Sequence, residues 1–490
     1  MVKEVDSLKE KGIKAFVWQL LNKVLTNGMG FIVSIFLARL LEPSDFGLIA
    51  MIMVIFGLAN VFTDVGLGAA LIQRRRALPI HYSSVFYFNV FIGGFLTLLT
   101  YQSAHLVSEF YNNEALLQLT QAMSFLFIIT ALTSVQNTLL NKEIKFALLT
   151  KISLLSAFIS GVTGIALAFG GAGVWSLVAQ LLVNGIIYNI VIWFVSTWRP
   201  NLSFSWKALT QLWGFGFRMF LAGMLDAIFV RLDFLIIGKL FTPATLGFLQ
   251  RAKSLNNMVV QYSSASLMAV LFPVLSKIQN DLPRFQNVII KTLGIICFVV
   301  FLMLGGLYLI SGELIVFLFT EKWLHSVGYF QILVLSGFSY PVSALLVNVL
   351  KSRGDSKGFL RLEIYKKVIM TLNFIVLYHY GINMYLYGLI VTSVLGVSLN
   401  ILFVSKEIKL SFYIFVMPIV VQAVIAICSA TIVLFSIANI EVNNLIFMML
   451  IKGSIFSILY FVLNYLFNTN SYSSLVEQVM PYIRKKLATV

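Results

Sequence analysis

Residues 37–48 read Leu-Ala-Arg-Leu-Leu-Glu-Pro-Ser-Asp-Phe-Gly-Leu, and residues 237–248 read Ile-Gly-Lys-Leu-Phe-Thr-Pro-Ala-Thr-Leu-Gly-Phe, the same plan two hundred positions later. Arg39 pairs with Lys239, Leu40 with Leu240, Pro43 with Pro243 and Gly47 with Gly247, and each copy sits between two long apolar segments. Proline removes a backbone donor and presets φ, so it closes one helix and opens the next. Glycine relaxes the backbone where two helix ends crowd together. A second match follows in the same order at nearly the same offset. Gln136-Asn137-Thr138-Leu139 with Lys142 aligns with Val347-Asn348-Val349-Leu350 with Arg353. Two matches in one order indicate an internal duplication.

Composition sets the class. At 59% hydrophobic and only 11% charged, with a mean hydropathy of +0.93, the chain reads as an all-α polytopic membrane protein. A spanning helix needs roughly 20 apolar residues. Apolar runs lie at about 13–40, 46–72, 82–101, 115–140, 146–169 and 174–195. A second set lies at 208–239, 246–275, 285–310, 329–350, 359–380 and 382–404, followed by 412–437 and 445–467. That makes about 14 transmembrane helices: two pseudo-symmetric six-helix bundles, 1–200 and 201–405, and two C-terminal helices with a basic tail, 406–490. The polar start, 1–11, has no apolar core ending in a cleavage site, so no cleaved signal peptide is expected. Cys297 and Cys428 fall inside spans and imply neither a disulfide framework nor a metal site.

Alternate loops differ in charge. One set carries Lys3, Lys9 and Lys11, Arg74 to Arg76, Lys142 and Lys145, Lys277 and Arg284, Lys351, Arg353 and Lys357, and Arg484 to Lys486. The other holds Lys322, with Arg39 and Lys239 at helix ends, and carries the acids Glu42, Asp45, Glu109, Glu114, Glu313, Glu321 and Glu441. Basic loops stay in the cytoplasm, so both termini are expected there. Orientation and attraction to anionic membrane lipids account for much of the +16 charge, and nucleic-acid binding is not needed.

Charges inside the spans carry the functional reading. Each costs about 2.5–3.5 kcal/mol or more at the centre of a lipid-facing helix, so such groups face a partner or a water-filled cavity. Arg218, Arg231, Arg251 and Lys253 are the candidate substrate-binding cations, and Lys23, Asp64, Asp226 and Asp233 the candidate gate or ion-coupling groups. Counting back from Pro43 puts Lys23 and Asp64 at matching depth, where a structural salt bridge is the bland alternative. Counting from Pro243 puts Arg231 and Arg251 near the middle to outer half, positioned to face each other. There is no Gly-Lys-Ser/Thr phosphate loop, and Gly214-Phe215-Gly216 lacks the rest of a dinucleotide fingerprint. No cofactor, no metal and no catalytic group is expected.

The stretch Ala38 to Leu48, then Phe62-Thr63-Asp64-Val65-Gly66-Leu67-Gly68-Ala69-Ala70-Leu71-Ile72-Gln73, resembles the opening of polysaccharide exporters of the multidrug/oligosaccharidyl-lipid/polysaccharide superfamily. The Wzx-type flippase branch is the nearest likeness, especially the colanic-acid and teichuronic-acid exporters. Asn141-Lys142-Glu143-Ile144-Lys145-Phe146 resembles the basic loop those proteins carry after the fourth span, with Asn-Lys where Gln-Arg is more usual. The resemblance implies two six-helix bundles around a cavity in the bacterial cytoplasmic (inner) membrane. It also implies alternating access and an undecaprenyl-pyrophosphate-linked oligosaccharide as substrate, for O-antigen, capsule or exopolysaccharide. A polysaccharide polymerase and assembly proteins are the implied partners. Two alternatives stand beside this. An ion-coupled multidrug exporter of the same superfamily would want an acid-dominated cavity; a membrane polymerase or glycosyltransferase would want a large outer loop.

Overall fold

The computed structural model describes residues 24–74, 76–438 and 444–477; within them, positions 222, 225, 226, 229, 230, 232, 259–274, 356, 377 and 378 are described by backbone alone. The described residues form helices α1 Val24–Leu40, α2 Pro43–Asp64, α3 Leu67–Gln73, α4 Pro79–Gln102, α5 Ala104–Tyr111, α6 Ala115–Lys142, α7 Phe146–Phe169, α8 Trp175–Val195 and α9 Trp206–Leu240. They continue with α10 Pro243–Ile278, α11 Leu282–Leu309, α12 Ser311–Phe319, α13 His325–Ser336, α14 Ser339–Ser352, α15 Ser356–Leu377, α16 Ile382–Ile408, α17 Phe412–Ile437 and α18 Leu445–Leu466. Among the described residues ten segments are long and apolar enough to span a membrane, α13 and α14 counting as one. Four more helices complete fourteen: α1, which is apolar but short, and α9, α10 and α15, which carry more charge. The protein is an all-helical, multi-span membrane protein.

Two predicted spans are broken. The run 46–72 stops at Asp64, because Val65 and Gly66 both take left-handed φ (45° and 72°), and α3 resumes at Leu67. The run 329–350 begins earlier, at His325, and is interrupted at Gly337 and Phe338. Broken spans are tolerated in lipid only where side chains or neighbouring helices satisfy the freed backbone groups. At the first break Asp64 does this, as described below.

The duplication is written in the backbone. Leu41 N donates to Leu37 O and Phe241 N to Ile237 O, both about one helical turn before the following proline. Ile144 and Gly354 hold the same left-handed position (φ 59° and 79°), 210 residues apart. The bonds around them match one for one: Lys145 N to Leu140 O and Asp355 N to Leu350 O, a shared helix-ending motif. The structural register is therefore 210. The pairing of Asn137 with Asn348 inferred from sequence is one residue out, and Lys142 corresponds to Ser352. Short helices recur too: α5 follows α4 as α12 follows α11, with Ser103 N to Leu99 O echoed by Ile310 N to Gly306 O.

The chain divides into two compact units, Met1–Gly247 and Phe248–Val490. In the first, α9 opens the second copy of the repeat yet packs along α2 and α3. Lipid tails are as apolar as leucine, so helices associate in a bilayer through close packing and hydrogen bonds. Gly93 accordingly lets α4 close on α6, where an added Cβ would meet Ala131 Cβ at 2.6 Å. A core of Leu67, Leu71, Val85, Phe86, Val135 and Leu212 joins α3, α4, α6 and α9. At the repeat hairpins, Gly47 faces the Pro243 carbonyl and Gly247 faces the Pro43 carbonyl. That reciprocity is the mark of a local twofold axis.

In the second unit, α11 packs with α17 and α18, and α14 and α15 pack with α16. The two C-terminal helices are fastened by a buried polar network. Tyr460 OH donates to Gln422 Oε1 at 2.5 Å, Gln422 Nε2 to Asn464 Oδ1 at 2.7 Å, and Thr469 Oγ1 to Asn464 Oδ1 at 2.7 Å.

Candidate functional site

The first candidate centre lies where α9 crosses α2 and α3. Gly57 leaves α2 without a side chain at this crossing, and the half-buried guanidinium of Arg231 occupies the space. A Cβ at Gly57 would sit 2.5 Å from Arg231 Nε. Arg231 Nη1 donates to the Met53 carbonyl at 3.2 Å, its one hydrogen bond among the described residues. A guanidinium has five N–H donors, so most of the fork remains to bind another acceptor. Arg218 lies thirteen positions earlier on the same helix and is exposed. Asp233 is buried, and its Oδ1 accepts from Phe234 N at 2.8 Å. The side chain of Asp226 and the whole of Lys23 lie outside the described residues.

Asp64 has a definite task. Its carboxylate accepts from Gly68 N at 3.0 and 3.1 Å, capping the N-terminus of α3 just after the break. An anion at a helix N-terminus complements the dipole and satisfies orphan N–H groups. Asn89 Nδ2 reaches Asp64 Oδ1 at 3.3 Å and Ser134 Oγ at 2.6 Å, linking α4 and α6 to the same point. Gly216 of α9, the motif dismissed as a nucleotide site, packs against the backbone carbonyls of Val65 and Gly66.

Arg251 belongs to the second unit and sits differently. It is 6% exposed, with its guanidinium over the rings of Phe319 at 4.8 Å and Trp323 at 5.1 Å. The chain makes this cage by turning at Thr320 (φ 79°) after α12, so that a 3-10 turn, Glu321–Trp323, brings a fully buried Trp323 back. Cation–π contacts worth about 2 kcal/mol when desolvated offset part of the burial cost. Lys253, two positions on, is half-buried. The two arginines given equal standing by depth thus occupy unlike settings: a partly open fork and a closed aromatic cage.

A family described as polysaccharide biosynthesis protein matches residues 36–328, more than half of the chain. The protein belongs to that family. Among relatives, the lipopolysaccharide biosynthesis protein WzxC of Escherichia coli (strain K12) is 24% identical over 70% of this chain and 70% of its own length. The teichuronic acid biosynthesis protein TuaB of Bacillus subtilis (strain 168) is 26% identical over 57% of this chain and 58% of its own. Among solved structures, the lipid II flippase MurJ in an inward closed conformation superposes with a TM-score of 0.73 at 16% identity, covering 94% of this chain and 100% of that one. The last likeness speaks for the fold.

The span of the family match contains Arg218, Arg231, Arg251, Lys253, Asp64, Asp226 and Asp233 and leaves out Lys23 and Lys452. Within it, Lys142 has a role that its loop position did not reveal. Lys142 Nζ donates to Leu71 O at 2.7 Å and Arg74 O at 2.8 Å, tying the end of α6 to the carbonyls that close α3. In the second copy Arg353 Nη1 reaches Gln279 O at 2.7 Å, just past α10. The repeat thus keeps a cation on the carbonyl end of an earlier helix, α3 in one copy and α10 in the other, while the register shifts by one. Beyond the match, Lys452 of α18 pairs with Glu313 of α12 in a largely buried ion pair that ties the two helices together.

Proposed function

We propose that this member of the polysaccharide biosynthesis family is a flippase that moves undecaprenyl-pyrophosphate-linked oligosaccharide units across the bacterial cytoplasmic membrane, for O-antigen, capsule or exopolysaccharide. The reading places both termini in the cytoplasm and uses the three-part division 1–200, 201–405 and 406–490, with alternating access between the two repeats. The observation that carries it is Arg231. A half-buried guanidinium on a span, seated over Gly57 with one backbone bond and most of its donors left over, suits a planar anionic oxygen pair. A pyrophosphate supplies that anion. Arg218 on the same helix adds positive potential for steering, and Lys253 is assigned to the same task in the second repeat. Arg251 has a weaker claim, since its cage already engages it. An exporter of organic cations would need acids open to the ligand, whereas Asp64 is bonded to Gly68 and Asn89 and Asp233 is buried. The protein in this reading performs no chemistry of its own; a polymerase acts after it.

The test is complementation of a strain lacking its own exporter, scored by surface polysaccharide with the variant's membrane insertion checked. Arg231→Ala should abolish export and Arg231→Lys should restore part of it, because charge survives and the fork does not. Full export by Arg231→Ala would overturn the reading. Orientation is checked separately. A single cysteine at Asn112 should react with an impermeant thiol reagent in intact cells, and one at Lys357 should not.

A further inference from the structure

The second unit contains a recess that none of the candidate charges uses. It holds about 330 Å³ and is lined by Tyr308 of α11, His325, Tyr329 and Gln331 of α13, and Asn383 and Tyr387 of α16. Its walls lie at one end of these helices: Tyr308 is next to last on α11, His325 opens α13, and Asn383 is second on α16. In the orientation proposed above that is the outer end. The volume falls at the small end of ligand pockets, about 300–1,000 Å³, and suits a single ring with its substituents. The lining is three phenols, an imidazole and two amides over an apolar floor of Ile332 and Leu335, with no carboxylate, ammonium or guanidinium among the lining residues. Such a surface offers flat aromatic faces for C–H groups and neutral donors and acceptors for hydroxyls. It offers no permanently charged group to neutralise a phosphate or an organic cation.

Tyrosines at helix ends are also what a membrane interface collects. The duplication supplies an internal control for that reading. α6 and the α13–α14 pair begin and end 210 positions apart, while α8 and α16 begin 207 apart, as do the bonds that close α4 and α11. At the matching depth the first copy has Ala115 for His325, Leu119 for Tyr329, Ser176 for Asn383 and Gln180 for Tyr387. Only Tyr101 and Gln121 repeat Tyr308 and Gln331, and Gln331 Nε2 is engaged with Ser311 Oγ at 2.8 Å. A belt residue serves the interface equally in both copies, whereas His325, Tyr329, Asn383 and Tyr387 belong to one copy alone.

We propose that this recess is a subsite for an uncharged sugar ring, holding part of the glycan at the outer face of the second unit. It rests on the reading that the protein carries a lipid-linked oligosaccharide, and it places the sugar apart from Arg231. Tyr329 and Tyr387 provide the stacking faces, the Asn383 amide can donate to and accept from hydroxyls, and Gln331 Oε1 accepts from them. The same chemistry is met by a sugar on the lipid carrier and by a free one.

The test uses the full chain in phosphatidylethanolamine/phosphatidylglycerol nanodiscs and saturation-transfer NMR. The probes are the free repeat-unit oligosaccharide released from the host's lipid carrier by mild acid, N-acetylglucosamine, and glycerophosphoglycerol as the lipid headgroup. Variants replace each residue by the one its own first copy uses: His325→Ala, Tyr329→Leu and Tyr387→Gln, each checked for monodispersity. The oligosaccharide should give saturable contacts, weakened about tenfold in each tyrosine variant and lost in the double. Tyr387→Phe keeps the ring and should retain most of the binding. Equal contacts in the wild type and the double variant, or contacts displaced by glycerophosphoglycerol and not by sugar, would overturn the subsite. Export by the wild type without oligosaccharide contact at these residues removes the subsite alone; absence of export removes the transport reading itself.

Discussion

Replacing Gly47 by alanine adds a methyl group where the Pro243 carbonyl already lies. The new Cβ would overlap the carbonyl oxygen and sit 2.5 Å from its carbon. Carbon atoms in contact prefer about 3.5–4.0 Å, so the two hairpins must part by about 1 Å. The obstacle is backbone on both sides and cannot swing away. Overpacking of this kind costs about 1–3 kcal/mol, or a midpoint lowered by roughly 2–4 °C per kcal/mol for a unit of this size. Gly247→Ala meets the mirrored contact, 2.8 Å from the Pro43 carbonyl carbon, and should cost about the same. The double variant is the informative one. Independent sites would sum their costs, but the separation that admits the first methyl also admits most of the second. The double should therefore lie within about 1 kcal/mol of the worse single variant. Thermal unfolding of the detergent-solubilised protein in a Cys428→Ser background, which removes the exposed thiol, followed by a thiol-reactive dye on the buried Cys297, measures all three. Additive losses, or no loss in either single variant, would refute the reciprocal contact.

Gly57→Ala meets only the flexible Arg231 side chain, so stability should change by less than about 1 kcal/mol while export falls. Gln422→Leu removes two bonds of a buried network but leaves Tyr460 OH on the Phe298 carbonyl and Asn464 Oδ1 on Thr469 Oγ1, and should cost about 1–2 kcal/mol by denaturation. Lys452→Met leaves Glu313 uncompensated, at about 3 kcal/mol, and pairing it with Glu313→Leu should recover most of that loss in the same assay. Tyr111, at the end of the short helix α5, has its phenol pushed up to about 12 by burial, against about 10 unfolded. Its contribution is whole below pH 10 and lost as pH rises to about 12, so Tyr111→Phe should flatten that part of the stability profile.

Residues 37–48 and 237–248 were legible because proline and glycine act on their own backbone: the helices end and begin where those two residues require, in both copies. Composition alone determined the class, since so little charge leaves no soluble surface. The break after Asp64 was not legible, because Val65 adopts a left-handed φ against its local preference, held there by contacts from α9 and by the Asp64 cap. The one-residue slip in the second match has a similar source: Ile144 fills a position that Gly354 fills in the other copy, and backbone conformation repeats where side chains do not. Depth counted from a turn set Arg231 and Arg251 equal. It could not separate them, because what distinguishes them is remote in sequence: an empty position at Gly57 beneath one, and Phe319 and Trp323 around the other. A helix fixes the height of a residue through its rise per residue, while its surroundings come from other helices, and those only the tertiary structure supplies.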